Sequence, residues 1–208
     1  THCMAKPMGE VVGGGVCPSY SWPVGAGVTA LMRGARPGLT LRDVRGVLGA
    51  TATDKYDPDD PRWEHNAAGF HHSVKYGFGV VDAHEAVKLA MIWRLWQPER
   101  SFTSSPPDHN LAIPEDGTEV KATLQWPASA NYILETVYVY VALDHPCRGD
   151  LRIRLTSPHG TETELSPGPR PNCDYQPHVS WKLSAMGFWG ESPVGEWTIS
   201  VADRGSTR

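Results

Sequence analysis

Ser19 is the residue of this sequence whose surroundings most favour chemistry. It lies in the stretch VCPSYSWPVGAG (16–27), and small and apolar residues follow it. A helix tolerates proline only in its first turn, so Pro23 predicts a helix that begins near Ser19. Gly25 and Gly27 indicate that this helix is buried and closely packed, because an interior glycine otherwise costs a helix about 1 kcal/mol. A serine at the positive end of a buried helix dipole is placed to act as a nucleophile beside oxyanion-stabilising N–H groups.

Two other interpretations of this stretch stay open. Serine is common in loops rich in glycine and proline, so Ser19 could be an ordinary loop residue. Cys17 lies in the same loop and could be the nucleophile instead.

Three acidic residues could supply oxygen ligands to Ca²⁺, namely Asp57, Asp59 and Asp60. Pro58 and Pro61 are interleaved with them, which favours a solvated loop over a metal site.

A histidine pair and an Arg-Gly-Asp tripeptide have comparably simple alternatives. His71 and His72 are adjacent, and adjacent side chains do not point the same way in regular structure, which disfavours a shared metal. Residues 148–150 spell an adhesion tripeptide but are followed by a strand pattern, so we expect them at the start of that strand.

The four cysteines are an even number, as in a secreted protein with two disulfides. No two of them form a CxxC pair, which disfavours zinc. The pairings Cys147–Cys173 and Cys3–Cys17 are candidates, but four cysteines allow three connectivities, and spacing does not choose among them.

Composition excludes several classes of function. The chain has 208 residues and a net charge of -4, without a Lys/Arg cluster, so nucleic acid is not an expected partner. No apolar run is long enough to span a membrane, and no signal peptide opens the sequence. The 18 prolines and 21 glycines predict many turns and few long helices.

Helical patterns occupy the first half of the chain. Residues 39–52 place Thr40 as N-cap with Asp43 three positions on, and bring Leu41, Val44, Val47 and Leu48 to one face. Residues 82–93 predict a further helix capped by Asp82, with Glu85 in its first turn. These helices must position whatever chemistry Ser19 performs.

Alternating patterns dominate from about residue 97 onward. Residues 99–110 are polar and predict a linker or an extended lead-in. Strands are predicted around 120–124, 137–143, 151–155 and 197–201. Residues 157–161 form a predicted turn between two strands. We therefore expect two domains, 1–96 and 97–208, the second an all-β sandwich or jelly roll.

The first domain resembles the end of a subtilase catalytic domain. Ser19, Ser21, Pro23, Ala26 and Gly27 match in register the family's serine segment. LTLRDV (39–44) and NAAGFHHSVKYGFGVVDAHEAVKLA (66–90) are similar to segments of the kexin- and furin-like members.

The second domain resembles the P domain, also called Homo B, of the same proteases. The matching stretches are HPCRGDLRIRLTSPHGTETEL (145–165) and WGESPVGEWTISVAD (189–203). The resemblance implies an α/β subtilisin-like catalytic-domain remnant, mainly helical here, followed by the β-sandwich. It also implies a secreted or secretory-pathway serine endopeptidase that acts on proteins and peptides, with calcium plausible in the full-length protein.

Within that family Ser19 would be the catalytic nucleophile, activated by a His and an Asp that precede it by more residues than stand before Ser19 here. The resemblance thus implies a C-terminal part of the protease that needs the upstream part of the catalytic domain as partner and is inactive alone. Cys17-Pro18 replaces the family's Gly-Thr, and Trp22 replaces a small residue. These departures keep open an inactive pseudoprotease whose sandwich is a binding or stabilising module.

Overall fold

A computed structural model describes residues 21–55, 57–104, 110–129, 132–170 and 178–205. The chain divides into two compact units. The helical unit contains the described residues up to Glu64 together with His71–Ser101, and the β unit contains His65–Phe70 and the described residues from Phe102 onward. The sequence predicted a single boundary at 96/97 and did not anticipate that a six-residue loop would be grouped with the later unit.

Three helices form the helical unit: α1 (Ser21–Ala35), α2 (Leu41–Thr51) and α3 (Ala83–Ile92). A short hairpin of β1 (Glu64–His65) and β2 (His71–His72) lies between α2 and α3 in the chain. The core of the unit is one apolar cluster, with Val28 and Met32 from α1, Val44 and Val47 from α2, and Ala86 and Ala90 from α3, completed by Leu39.

Both predicted helix caps are present. Thr40 and Asp43 form a reciprocal capping box at α2, and the Asp82 side chain accepts the Glu85 N–H at α3. One predicted core position is wrong: Leu41 is 68% exposed. Leu41 is the first residue of α2, whereas the helical core includes this helix only from Val44 onward.

Six antiparallel strands form two sheets in the β unit. The larger sheet has the order β3 (Val120–Trp126), β8 (Gly195–Asp203), β5 (Leu151–Thr156), β6 (Glu162–Pro167). The smaller pairs β4 (Val137–Asp144) with β7 (His178–Ala185). The turn at 157–161 joins β5 to β6 as predicted, with the Ser157 N–H donating to the Thr161 carbonyl.

The two sheets enclose a common apolar core, which makes the unit a β-sandwich. Leu155 and Trp197 reach this core from the larger sheet, and Ala185 and Val139 reach it from the smaller one. Phe188 lies between them and meets the Trp197 ring edge to face at 5.0 Å. The alternating sequence of β5 matches its burial, because Leu151, Ile153 and Leu155 are buried while the intervening residues are half-exposed.

Candidate active-site segment

The predicted nucleophile lies outside the described residues. Ser19, the alternative nucleophile Cys17 and Pro18 all fall before Ser21, where the described chain begins. The structure does describe the helix that follows them. Pro23 lies near its beginning, as the sequence required, and no acidic residue occupies the first turn of α1. The positive end of this helix dipole therefore lacks a carboxylate of its own.

Only one face of α1 is buried against the rest of the helical unit. Val28 and Met32 are 6% and 0% exposed in the helical core. Trp22 and Leu31 are 76% and 60% exposed, and a Cβ added to Gly25 would meet nothing within 4 Å. The prediction of a buried and closely packed helix therefore holds, among the described residues, for the face with Val28 and Met32 and not for the face with Trp22 and Leu31. Its apolar composition exceeds what the neighbouring elements of this unit cover.

The stretch LTLRDV, quoted for its family resemblance, has a structural role at the start of α2. Asp43 is fully buried, and its carboxylate accepts from the Thr40 N–H at 2.8 Å, the Trp96 N–H at 2.9 Å and the Trp93 indole at 3.1 Å. Burial raises the pKa of Asp43, but the hydrogen bonds, led by that of the Thr40 hydroxyl, outweigh it and leave the pKa below its ordinary value. This carboxylate joins α2 to the segment after α3.

The acidic loop before β1 is neutralised by cations of the chain itself. Asp60 is buried and pairs with the Arg62 guanidinium and, at 3.3 Å, with Lys75 Nζ. The Arg62 hydrogen bond is the main reason why the pKa of Asp60 is far below its ordinary value. Asp57 accepts the Tyr76 hydroxyl at 2.6 Å, which raises the pKa of Tyr76. These carboxylates do not fit a calcium site, which needs oxygen atoms free of ammonium and guanidinium partners.

Across the described part of the chain, no group of three or more His, Cys, Asp or Glu residues could hold a metal ion. His71 and His72 contact different rings. His71 meets Trp63 edge to face at 5.4 Å, and His72 meets Phe78 at 5.3 Å. Burial and the neighbouring His71 lower the pKa of His72, which favours its neutral form. The two imidazole rings thus make separate aromatic contacts.

The Arg-Gly-Asp tripeptide forms a 3₁₀ turn, Arg148–Asp150, directly before β5. Asp150 is 7% exposed, and the Arg148 guanidinium lies over the Trp181 ring at 5.4 Å. A buried aspartate is not available to an adhesion receptor, so the structural interpretation holds.

Cys147, at the start of that turn, is disulfide-bonded. Its predicted partner Cys173, like Cys3 and Cys17, lies outside the described residues, so the pairing stays a prediction. Within the described residues, no helix combines the length and apolarity needed to cross a bilayer.

Sequence reasoning missed an anchoring site in the β unit. The buried Asn66 donates to the carbonyl groups of Gly187 and Trp189 and accepts the N–H groups of Ala68 and Phe70. The Glu191 carboxylate accepts the neighbouring Ala67 N–H at 2.9 Å and the Thr161 hydroxyl. Asn-x-x-Gly at 66–69 was the available signal, because an Asx turn uses this spacing.

A helical unit followed along the chain by an antiparallel sandwich is the arrangement expected of a subtilase with a P domain. Comparison with known families identifies the sandwich: residues 134–208 match the proprotein convertase P-domain. The chain thus contains a P domain, and the resemblance to the kexin- and furin-like subtilases is confirmed by the relatives that follow.

Two curated relatives and one solved structure define the relationship. The chain is 34% identical over 203 residues to "Proprotein convertase subtilisin/kexin type 5" of Branchiostoma californiense, covering 90% of this chain and 12% of the relative. It is 32% identical over 192 residues to type 7 of Homo sapiens, covering 90% and 24%. The crystal structure of the serine protease of Aeromonas sobria superposes with a TM-score of 0.74 at 26% identity, covering 88% of this chain and 36% of that one. The chain therefore spans about an eighth to a third of these proteins.

Proposed function

We propose that this chain is part of a serine endopeptidase of the kexin and furin type, with Ser19 as its nucleophile. The main support for the proposal is the length of chain over which the sequence is similar to proprotein convertases. The P-domain match is confined to 134–208, whereas the similarity to convertases covers 90% of the chain and so includes most of the helical unit. We assign the helical unit to the C-terminal part of a subtilisin-like catalytic domain.

In this reaction the Ser19 hydroxyl oxygen forms a bond to the scissile carbonyl carbon, and the C–N bond of the peptide breaks. The serine proton passes to a general base and then to the leaving amine, after which water hydrolyses the acyl-enzyme. The base and its orienting carboxylate belong to the part of the catalytic domain that precedes Ser19 in the family. The first backbone N–H groups of the α1 region would stabilise the developing oxyanion.

The packing of α1 in the helical core supports the proposal. Val28 and Met32 fix the helix against α3, and Asp43 ties α2 to the chain after α3. A nucleophile at the beginning of α1 would therefore be attached to a well-packed helix. Such a helix would hold its side chain in the fixed orientation that catalysis requires. Protein substrates and a secretory location follow from the family, and the disulfide at Cys147 agrees with an oxidising compartment.

A fluorophosphonate probe tests the proposal, because it reacts with an activated serine and leaves ordinary serines unmodified. The full-length precursor, Ser19→Ala and the nearby control Ser21→Ala would be expressed, and labelling measured after gel electrophoresis. We expect labelling of wild type and Ser21→Ala and its loss in Ser19→Ala. Peptidase activity that persists in Ser19→Ala and disappears in Cys17→Ala would assign the nucleophile to Cys17 instead.

The second candidate is an inactive relative whose sandwich binds or stabilises a protein partner. Replacement of the family's Gly-Thr by Cys17-Pro18 favours it, and the β unit has a core of its own. A folded full-length protein that contains the family's Asp and His and yet takes up no probe would decide for this candidate and against catalysis.

A further inference from the structure

The segment that connects the two compact units is exposed and has neither helix nor strand. Every residue from 97 to 103 is exposed, and the division between the helical unit and the β unit falls between Ser101 and Phe102. Arg100 lies within this segment, directly before Ser101. A protease binds several residues on each side of the bond that it cleaves in an extended form, so an exposed segment without regular structure is a suitable substrate.

Arg94 is also exposed and outside regular structure, but its neighbours are fixed. The Trp93 indole and the Trp96 N–H both donate to the Asp43 carboxylate, at 3.1 and 2.9 Å. The rings of Trp93 and Trp96 stack with centroids 6.1 Å apart. The peptide bond after Arg94 therefore belongs to the packed helical unit, whereas residues 98–101 are part of neither apolar core.

We propose that the bond between Arg100 and Ser101 is a processing site for a trypsin-like endopeptidase, and that the cleaved chain persists as a complex of fragments 1–100 and 101–208. Such an enzyme selects a guanidinium through a carboxylate in its primary specificity pocket. Cleavage adds water across the peptide bond, so Arg100 gains a carboxylate and Ser101 an amino group. Each fragment retains an apolar core of its own.

The loop 65–70 would hold the two fragments together, because it belongs to fragment 1–100 by sequence and to the β unit by structure. Asn66 donates to the carbonyl groups of Gly187 and Trp189, which lie in fragment 101–208. The Ala67 N–H reaches the Glu191 carboxylate of the same fragment at 2.9 Å. These hydrogen bonds do not depend on a covalent connection through residues 97–103.

Close packing adds to these hydrogen bonds. A Cβ at Gly190 would lie 2.9 Å from the Ala68 Cβ and from the Phe70 ring, so the loop rests directly on the Gly190 backbone. Asn66 itself is 5% exposed. Separation of the fragments would expose this packed surface to water, which opposes dissociation.

Limited digestion of the 208-residue chain with trypsin, followed by intact mass measurement, tests the cleavage site. We expect the cut that separates the helical unit from the β unit to fall after Arg100. Arg100→Gln should slow this cut about tenfold or more, since an uncharged amide leaves the carboxylate of the specificity pocket unpaired. Arg94→Gln is the matched control and should be cut at the wild-type rate. A separating cut after Arg94, or an unchanged rate in Arg100→Gln, would overturn the assignment.

Gel filtration of the cleaved chain at decreasing concentrations tests the attachment. The fragments should elute together, and they should separate in a denaturing gel without reductant, which distinguishes the complex from a disulfide-linked pair. Separate elution of the wild-type fragments from gel filtration would overturn the proposal, and so would fragments that stay joined in that gel until reductant is added.

Asn66→Asp tests the role of the loop. It keeps an oxygen that accepts within the loop but has no hydrogens for the Gly187 and Trp189 carbonyl groups. The cleaved variant should dissociate at a concentration about tenfold higher or more. Gln125→Ala, on the exposed side of β3, should match wild type. Near-ultraviolet circular dichroism before cleavage checks that each variant is folded, and equal affinity in Asn66→Asp and wild type would show that the loop does not hold the fragments.

Discussion

Asn66 Nδ2 donates a 2.8 Å hydrogen bond to the carbonyl oxygen of Trp189, far away in the sequence but in the same unit. Its second hydrogen goes to the Gly187 carbonyl at 2.9 Å, and its Oδ1 accepts two backbone N–H groups of its own loop. Asn66 is 5% exposed, and its polar atoms are satisfied. One carboxamide thus folds the loop 65–70 and fastens it to the turn before β8.

Asn66→Ala should lower the free energy of unfolding of the β unit by about 2–4 kcal/mol. Four hydrogen bonds are lost, and two carbonyl groups are left buried without their donor. Urea unfolding, followed by fluorescence of the sandwich tryptophans, measures the change. Gln125→Ala removes an exposed carboxamide from β3 and should change stability by less than about 0.5 kcal/mol. Equal effects of the two substitutions would contradict the anchoring role.

A comparison of Gly190 with Gly160 distinguishes the cost of backbone strain from the cost of steric overlap. Both have φ of 86°, a conformation that costs a residue with a Cβ about 1 kcal/mol. A Cβ at Gly190 would lie 2.9 Å from the Ala68 Cβ and from the Phe70 ring, whereas at Gly160 it would meet nothing within 4 Å.

Gly190→Ala should therefore destabilise the β unit by about 1–3 kcal/mol more than Gly160→Ala, the difference being overpacking against the loop 65–70. Thermal denaturation of the two variants gives this difference directly. If both melt at the same temperature, the loop yields to the added methyl group, and its packing against Gly190 is not specific.

Local signals in this sequence predicted local structure well. The N-caps of α2 and α3 were readable because a cap side chain bonds a backbone N–H only three positions away. The strands β3, β4, β5 and β8 were readable because one side of each faces a core. β7 was missed, since it lies directly after residues 171–177, whose prolines and asparagine indicate a loop.

Features that depend on distant residues could not be predicted. No pattern near Asn66 reveals that the carbonyl groups of Gly187 and Trp189 will be its acceptors. The composition of α1 indicated a buried and closely packed helix, but in the described chain only the face with Val28 and Met32 is covered. Apolar content shows how much cover a helix requires and not which residues supply it. Ser19 remains a prediction for the same reason: its chemistry depends on groups that its own neighbours do not provide.

Glu191 also anchors the loop 65–70, through a carboxylate where Asn66 uses a carboxamide. It is 2% exposed, one carboxylate oxygen accepts from Ala67 and Thr161, and the other has no partner among the described residues. A buried carboxylate without a cation is costly, so Glu191→Gln should leave stability within about 1 kcal/mol of wild type.

Glu191→Ala should cost about 2 kcal/mol or more, because the Ala67 N–H and the Thr161 hydroxyl both lose the carboxylate as an acceptor and a cavity forms. Denaturant unfolding of both variants tests the comparison. A larger loss in Glu191→Gln than in Glu191→Ala would show that the negative charge itself is required.

Asp43 should make the helical unit sensitive to acid. Its hydrogen bonds from Thr40, Trp96 and Trp93 hold the folded-state pKa below the ordinary value of 3.8, despite the opposing effect of burial. A group with a lowered folded-state pKa binds protons more readily in the unfolded chain. Its contribution to stability is therefore present above the unfolded-state pKa and is lost as the pH falls through the folded-state pKa.

The free energy of unfolding of the helical unit, measured in urea between about pH 7 and pH 2, should fall most steeply below about pH 4. Asp43→Asn should be less stable than wild type at neutral pH and should show a shallower decline in acid, since its side chain has no proton to gain. Asp59→Asn is the matched control, because Asp59 is exposed and makes no hydrogen bond to the described residues. Asp59→Asn should retain the wild-type dependence of the free energy of unfolding on pH. If Asp43→Asn retains that dependence as well, the acid sensitivity belongs to another group.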